Sequence, residues 1–250
     1  MINNGYSGSK LKLIKKNNTF IVKKINNVKR NLERYESLNY LNLSMPKILN
    51  ISNDYYEMEY IDNISMDVYI QKYEIDNLID FILKLLNNFT KNCVEKDFTN
   101  VYINKLKNFN FKKYNLPFNA DQLIDKLPKI LPESEYYGDL TLDNILFDTQ
   151  NNKFVLIDPS TTEYNSFVFD IAKLNQDLIC KWFIRNKTYN THDINKKINK
   201  IYQSLDKYPY YDNDYLLILM IMRILPYSKN KEDRLFLTKN INNIWNKLNT

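Results

Sequence analysis

Three polar side chains bracket one short stretch, Tyr136–Ser160, which reads YYGDLTLDNILFDTQNNKFVLIDPS. Two apolar segments, Asn144–Phe147 and Phe154–Ile157, flank a polar turn at Asp148–Lys153. That pattern predicts an antiparallel hairpin. Asp139 and Asn144 lie at its entrance and Asp158 at its exit, so closing the hairpin brings two carboxylates and an amide together. Such oxygen donors suit a hard divalent cation, and a carboxylate beside them suits a general base.

Asp and Asn are also common turn residues, so an isolated D-x-x-x-x-N would carry little weight. The ordered combination is more specific. Residues 137–144, YGDLTLDN, fit the kinase catalytic-loop pattern H-R-D-L-x-x-x-N, with Tyr137 for His and Gly138 for Arg. Ile157-Asp158-Pro159 falls where the metal-binding D-F-G stands in that pattern. With Gly-Asp in place of Arg-Asp, the chain resembles the aminoglycoside phosphotransferase and choline kinase families. The resemblance implies an α+β, bilobal, protein-kinase-like fold, with a small β-rich N-lobe at residues 1–61 and a larger, mainly helical C-lobe at residues 62–250. It implies ATP and Mg²⁺ as cofactors. Asp139 is then the catalytic base, and Asn144 and Asp158 are the metal ligands.

The elements that must position these groups are predicted in turn. Lys10–Lys15 and Thr19–Ile25 read as a hairpin following a turn-rich opening. By the resemblance Gly5, Ser7 and Gly8 cover the phosphates, because a glycine lets backbone N–H groups approach the oxygens. Phe20–Lys24 resembles the V-A-I-K strand that carries the phosphate-binding lysine. That alignment selects Lys23. Since strand side chains alternate faces, Lys24 is its mutually exclusive alternative. Asn27–Leu41 has helical spacing and stands where the lysine's glutamate partner is expected; Glu33 is favoured over Glu36. Met45–Leu49 and Tyr55–Ile61 read as strands, and the resemblance makes Glu59, Tyr60 and Ile61 the hinge that meets adenine through its main chain.

Helices are expected over Met66–Asn88, Asn100–Lys113 and Asp121–Leu131, with three more in Lys196–Leu205, Tyr215–Leu225 and Leu235–Leu248. Asp170-Ile171-Ala172 matches the family's D-[LI]-A segment, in which the aspartate opens a helix and braces the catalytic loop. That helix is expected to continue through Asn175–Asn186. The short interval from Asp158 to Asp170 leaves no room for a long activation loop, which favours a small-molecule kinase over a protein kinase.

Composition narrows the field further. With 44% hydrophobic and 26% charged residues, the chain is an ordinary globular one that can bury a core. A net charge of +6 without a dense basic run permits an anionic ligand but argues against nucleic acid. The single histidine, His192, excludes a His-based metal site and a Ser-His-Asp triad. Two unpaired cysteines, Cys93 and Cys180, fit a reducing cytoplasm. The apolar run Leu216–Met222 is too short to span a bilayer. Basic residues outnumber acidic ones beyond residue 170, which favours a neutral or anionic acceptor such as a sugar derivative over a polycationic antibiotic, with choline open. The reading is therefore transfer of the γ-phosphate of ATP to the hydroxyl of a small acceptor. Its alternatives are a nucleotide-binding pseudokinase, a protein kinase and a nucleotidyl transferase.

Overall fold

The computed structural model describes the chain except residues 1, 5–9, 17–18, 26–27, 188–190 and 229. Gly5, Ser7 and Gly8 lie outside the described residues. The first part of the chain is a five-stranded antiparallel sheet with one helix against it. Its strands are β1 (Ile2–Asn4), β2 (Lys10–Lys16), β3 (Thr19–Ile25), β4 (Ile48–Ile51) and β5 (Tyr55–Glu59), in the order β1-β2-β3-β5-β4. The helix, α1 (Val28–Leu38), buries Val28, Asn31, Arg34, Tyr35 and Leu38, the 3- and 4-residue spacing of one helical face. Val28 and Tyr35 pack with Tyr56 and Met58 of β5 in a small apolar cluster.

After β6 (Asn63–Ile64) the chain becomes mainly helical. α2 (Met66–Lys72) and α3 (Asp76–Phe89) lead to β7 (Val94–Asp97), α4 (Thr99–Leu106) and α5 (Ala120–Lys126). α5 ends sooner than its apolar spacing suggests. Leu127 precedes Pro128, which disfavours helical backbone at the preceding residue, and it sits at φ −74, ψ 141. The chain then forms β8 (Ile130–Glu133), an unforeseen strand paired antiparallel with β7.

The predicted hairpin is β9 (Ile145–Asp148) and β10 (Lys153–Leu156), with Phe147 opposite Phe154; β6 pairs on its outer side. α6 (Phe167–Leu178) follows, then α7 (Thr191–Gln203), α8 (Asp214–Met222) and α9 (Lys231–Leu248). α6 ends at Leu178, short of the expected continuation to Asn186. In α8 every residue from Leu216 to Met222 is buried, which accounts for that apolar run as core. No helix among the described residues is long and apolar enough to cross a membrane.

α6 decides the site's geometry. All of its residues are buried, including Asp170, Lys173, Asn175, Gln176 and Asp177. Buried polar groups need partners, and three of these find theirs in the segment just before the hairpin.

Candidate active site

The site grows outward from Gly138, which sits at φ +91 with no room for a side chain. A Cβ built there would lie 1.9 Å from the carbonyl oxygen of Ser160. Glycine alone allows this close approach of the segment before the hairpin to the segment after it. The two are tied further by Ser160 N–H donating to Tyr137 O at 3.1 Å and Ile157 N–H to Asn144 O at 3.0 Å. Tyr137, fully buried, donates its hydroxyl to Ile157 O at 2.6 Å. A tyrosine in the usual histidine's place thus holds the backbone immediately before Asp158.

α6 fixes the same loop from beneath. Ser166 caps the helix, its Oγ accepting Val168 N–H at 3.2 Å, so Asp170 is free of the capping role. Its carboxylate instead accepts the backbone N–H groups of Tyr137 and of Gly138, the latter at 2.8 Å. Burial pushes Asp170 up to about 6 against the pull of those two donors. Two turns on, Asp177 Oδ2 accepts Leu142 N–H at 2.7 Å. Burial and the neighbouring Asp143 push this carboxyl up to about 8. Between them Lys173 Nζ reaches Asp139 Oδ1 at 3.2 Å. Positions 170, 173 and 177 share one helical face, and that face holds the loop at three points.

Asp139, Asn144 and Asp158 line one cleft of about 620 Å³. Asn144 Nδ2 donates to the backbone oxygen of Asp139 at 2.8 Å and to its Oδ2 at 3.3 Å, which leaves the amide oxygen of Asn144 as a ligand atom. Burial opposes ionisation of Asp139, but Lys173 and Arg223, with hydrogen bonds from Lys173 and Asn144, hold its carboxyl below the usual range. Its side chain keeps 39% of its surface open, which here means open to the cleft. Asp158 stands in the left-handed region at φ 62, a conformation costing a non-glycine residue about 1–3 kcal/mol. Residues with that strain concentrate at functional sites.

The lysine at the cleft is Lys24, which corrects the selection of Lys23. Lys24 is buried, and its Nζ lies 2.6 Å from Asp158 Oδ1. Lys23 falls on the opposite face of β3, its ammonium 3.2 Å from the centroid of the Tyr55 ring. Strand parity permits one of the two inside, and the register with β5 (Lys24 opposite Tyr56, Lys23 opposite Glu57) selects Lys24.

Neither Glu33 nor Glu36 accompanies it. Both are exposed, and Glu33 faces Lys29 of its own helix at 3.8 Å. The inward face of α1 carries Asn31 and Arg34 instead. Asn31 Nδ2 donates to Pro159 O at 2.6 Å. Arg34 donates to Tyr136 O, pairs with Glu135 at 3.0 Å and stacks on the Tyr136 ring. Arg30 adds a hydrogen bond to Thr161 O at 2.9 Å. α1 therefore grips the backbone on both sides of the hairpin rather than the lysine. Glu59, Tyr60 and Ile61 border a second hollow of about 260 Å³ and are absent from the walls of the main cleft.

Asp158 and Asn144 both offer hard oxygen atoms, the donor type Mg²⁺ takes, and Mg²⁺ fills its remaining positions with phosphate oxygens and water. Two protein ligands beside a cleft fit that mode, and no cluster of three His, Cys, Asp or Glu occurs among the described residues. The residues that sequence reasoning missed are Lys173, Asp177, Asn31, Arg34 and Arg223. For the first two a signal existed, namely their 3- and 7-residue spacing from Asp170.

No protein-family profile matches the chain, and no curated protein matches its sequence. Solved structures do match. A thermostable mutant of aminoglycoside phosphotransferase APH(4)-Ia aligns over 99% of this chain and 94% of its own, with a TM-score of 0.66 at 11% identity. Plasmodium vivax ethanolamine kinase aligns over 98% and 81%, with a TM-score of 0.57 at 12% identity. Choline kinase LicA from Streptococcus pneumoniae aligns over 96% and 93%, with a TM-score of 0.55 at 14% identity. APH(4)-Ia variants have been captured with hygromycin B and either ADP or AMP-PNP, and LicA with AMP. The chain has the α+β, protein-kinase-like fold of these small-molecule kinases.

Proposed function

We propose that the protein is an ATP- and Mg²⁺-dependent kinase that phosphorylates a hydroxyl of a small molecule. The observation that carries this reading is the convergence of Lys24, Asp139, Asn144 and Asp158 on one cleft, with Lys24 2.6 Å from Asp158 and Asn144 2.8 Å from the Asp139 backbone. The nucleotide complexes of the similar folds support it.

In this reading residues 1–61 cover the nucleotide, with Glu59, Tyr60 and Ile61 meeting adenine through their main chain and Gly5, Ser7 and Gly8 over the phosphates. Residues 62–250 supply the chemistry. Lys24 aligns the α- and β-phosphates. Asp158 and Asn144 hold Mg²⁺, which supplies charge neutralisation on the phosphate oxygens. Asp139 orients the acceptor hydroxyl and takes its proton. The acceptor oxygen forms a bond to the γ-phosphorus, the bond from that phosphorus to the bridging oxygen breaks, and ADP leaves. Catalysis of this kind is mainly positioning and charge stabilisation. The buried bracing of the loop by Asp170 and Asp177 supports such rigid positioning.

The test is the melting temperature with and without Mg-ATP, for wild type and Asp158→Ala, followed by an ADP-release screen over sugars, amino alcohols and aminoglycosides. A ligand that binds the native state raises the melting temperature by mass action. A Mg-dependent rise that Asp158→Ala abolishes, followed by acceptor-dependent ADP, supports the kinase. A rise with no turnover supports a nucleotide-binding module instead, and no rise at saturating nucleotide overturns the reading.

A further inference from the structure

We infer that the acceptor is an anionic hydroxy compound, bearing a carboxylate or a phosphate that Arg223 receives beside Asp139. This rests on the phosphotransfer reading above. Three lysines along the cleft are already paired with carboxylates. Lys24 is matched by Asp158 at 2.6 Å, Lys173 by Asp139 at 3.2 Å, and Lys105 by Glu163 at 2.9 Å. Arg223 also lines the cleft, and no carboxylate lies within ion-pair distance of it among the described residues.

The surroundings of Arg223 do not satisfy it. Its Nη1 lies 3.3 Å from the sulfur of Met220, a weak acceptor, and its guanidinium sits 5.1 Å from the centroid of the Tyr164 ring. A guanidinium presents five donors in a planar fork that fits carboxylate and phosphate two bonds at a time. Held half-buried against a thioether and an aromatic ring, Arg223 leaves most of that fork for a ligand.

Its location sets the ligand's charge. Arg223 and Lys173 both act on Asp139, the group to which the hydroxyl must come. An ammonium next to that hydroxyl would be set against two cations, whereas an anion would meet them favourably. Asp143 is the one carboxylate other than Asp139 and Asp158 among the described cleft-lining residues, and Lys187 and Arg185 already act on it. The walls thus lack the carboxylates that a polycationic acceptor needs.

The experiment measures melting temperature with saturating Mg-ADP, so that the phosphate end is filled, and titrates D-gluconate, D-glucose 6-phosphate, D-glucose and D-glucosamine. Wild type, Arg223→Gln and Arg223→Lys are compared. At least one anion is expected to bind roughly tenfold or more tightly than glucose and glucosamine, a factor readable as an apparent dissociation constant. Arg223→Gln is expected to remove that preference while its Mg-ADP shift remains, and Arg223→Lys to restore part of it. Gluconate against glucose 6-phosphate separates the carboxylate source from the phosphate source. The proposal is overturned if glucosamine binds as tightly as the anions, if neither anion binds better than glucose, or if the preference survives Arg223→Gln. Absence of the Mg-ADP shift itself would instead count against the kinase reading. The anion titrations without nucleotide then still decide the Arg223 site.

Discussion

Lys173 Nζ lies 3.2 Å from Asp139 Oδ1, and the lysine side chain is only 10% exposed. The pair joins a buried helix to Asp139, a carboxylate of the cleft. Against the opposing effect of burial, Lys173 is the largest of the influences that lower the Asp139 carboxyl's pKa. Removing the ammonium in Lys173→Met should raise the carboxyl's pKa. The acid limb of the kcat/KM profile then moves to higher pH, and kcat falls on the order of 10²-fold, the low end for a general-base contribution. A packing role alone would lower activity without moving the limb, so the pH profile decides between them.

The two adjacent lysines of β3 should behave differently. Lys24→Ala removes the cation 2.6 Å from Asp158 and should lower kcat/KM on the order of 10²-fold, as loss of one stabilising donor does elsewhere. Lys23→Ala removes a contact with the Tyr55 ring on the other face and should leave kcat/KM within about twofold. Equal losses in the two variants would mean that strand parity does not select the working lysine.

Asp177 should make stability fall with rising pH. Its carboxyl moves from an ordinary value of 3.8 up to about 8 on folding, so the native chain binds more protons than the unfolded one between those values. The stability tied to the protonated form is complete below the unfolded value and is lost as pH rises toward about 8. Asp177→Asn can still accept Leu142 N–H but has no proton to lose. Its melting temperature between pH 6 and pH 9 should be flatter than that of the wild type, and parallel curves would exclude Asp177 as the titrating group.

Gly138→Ala should disturb the site from its backbone. The new methyl would sit 1.9 Å from Ser160 O, and φ +91 adds about 1–3 kcal/mol of conformational cost. The segments bearing Asp139 and Asp158 must then separate. The melting temperature should fall by several degrees, and the Mg-ATP shift should vanish even where the chain remains folded. Retention of that shift would show that the close approach of Gly138 to Ser160 is dispensable.

The sequence by itself determined what is local along the chain. The order of Asp139, Asn144 and Asp158 about two apolar strands specified the hairpin and which ends meet. Alternation marked β2 and β3, 3.6-residue spacing marked α1, α3 and α5, and a continuous apolar run marked α8. The spacing of YGDLTLDN, the aspartate after the hairpin and Asp170-Ile171-Ala172 pointed to the kinase-like fold that the structure shares with its neighbours.

Tertiary structure decided everything that depends on which faces meet. Parity says that one of Lys23 and Lys24 points inward, but the pairing of β3 with β5 and the packing against Asp158 choose which. Helical spacing made Glu33 and Glu36 equal candidates, while the seating of α1 turned Asn31 and Arg34 inward and left both glutamates in water. β8 was hidden because its partner β7 lies far away in sequence, and strand pairing is stabilised only once that partner is present. Lys173 and Asp177 read as ordinary helix residues until burial of all of α6 forced each to find a partner, and the partners available were in the loop before the hairpin.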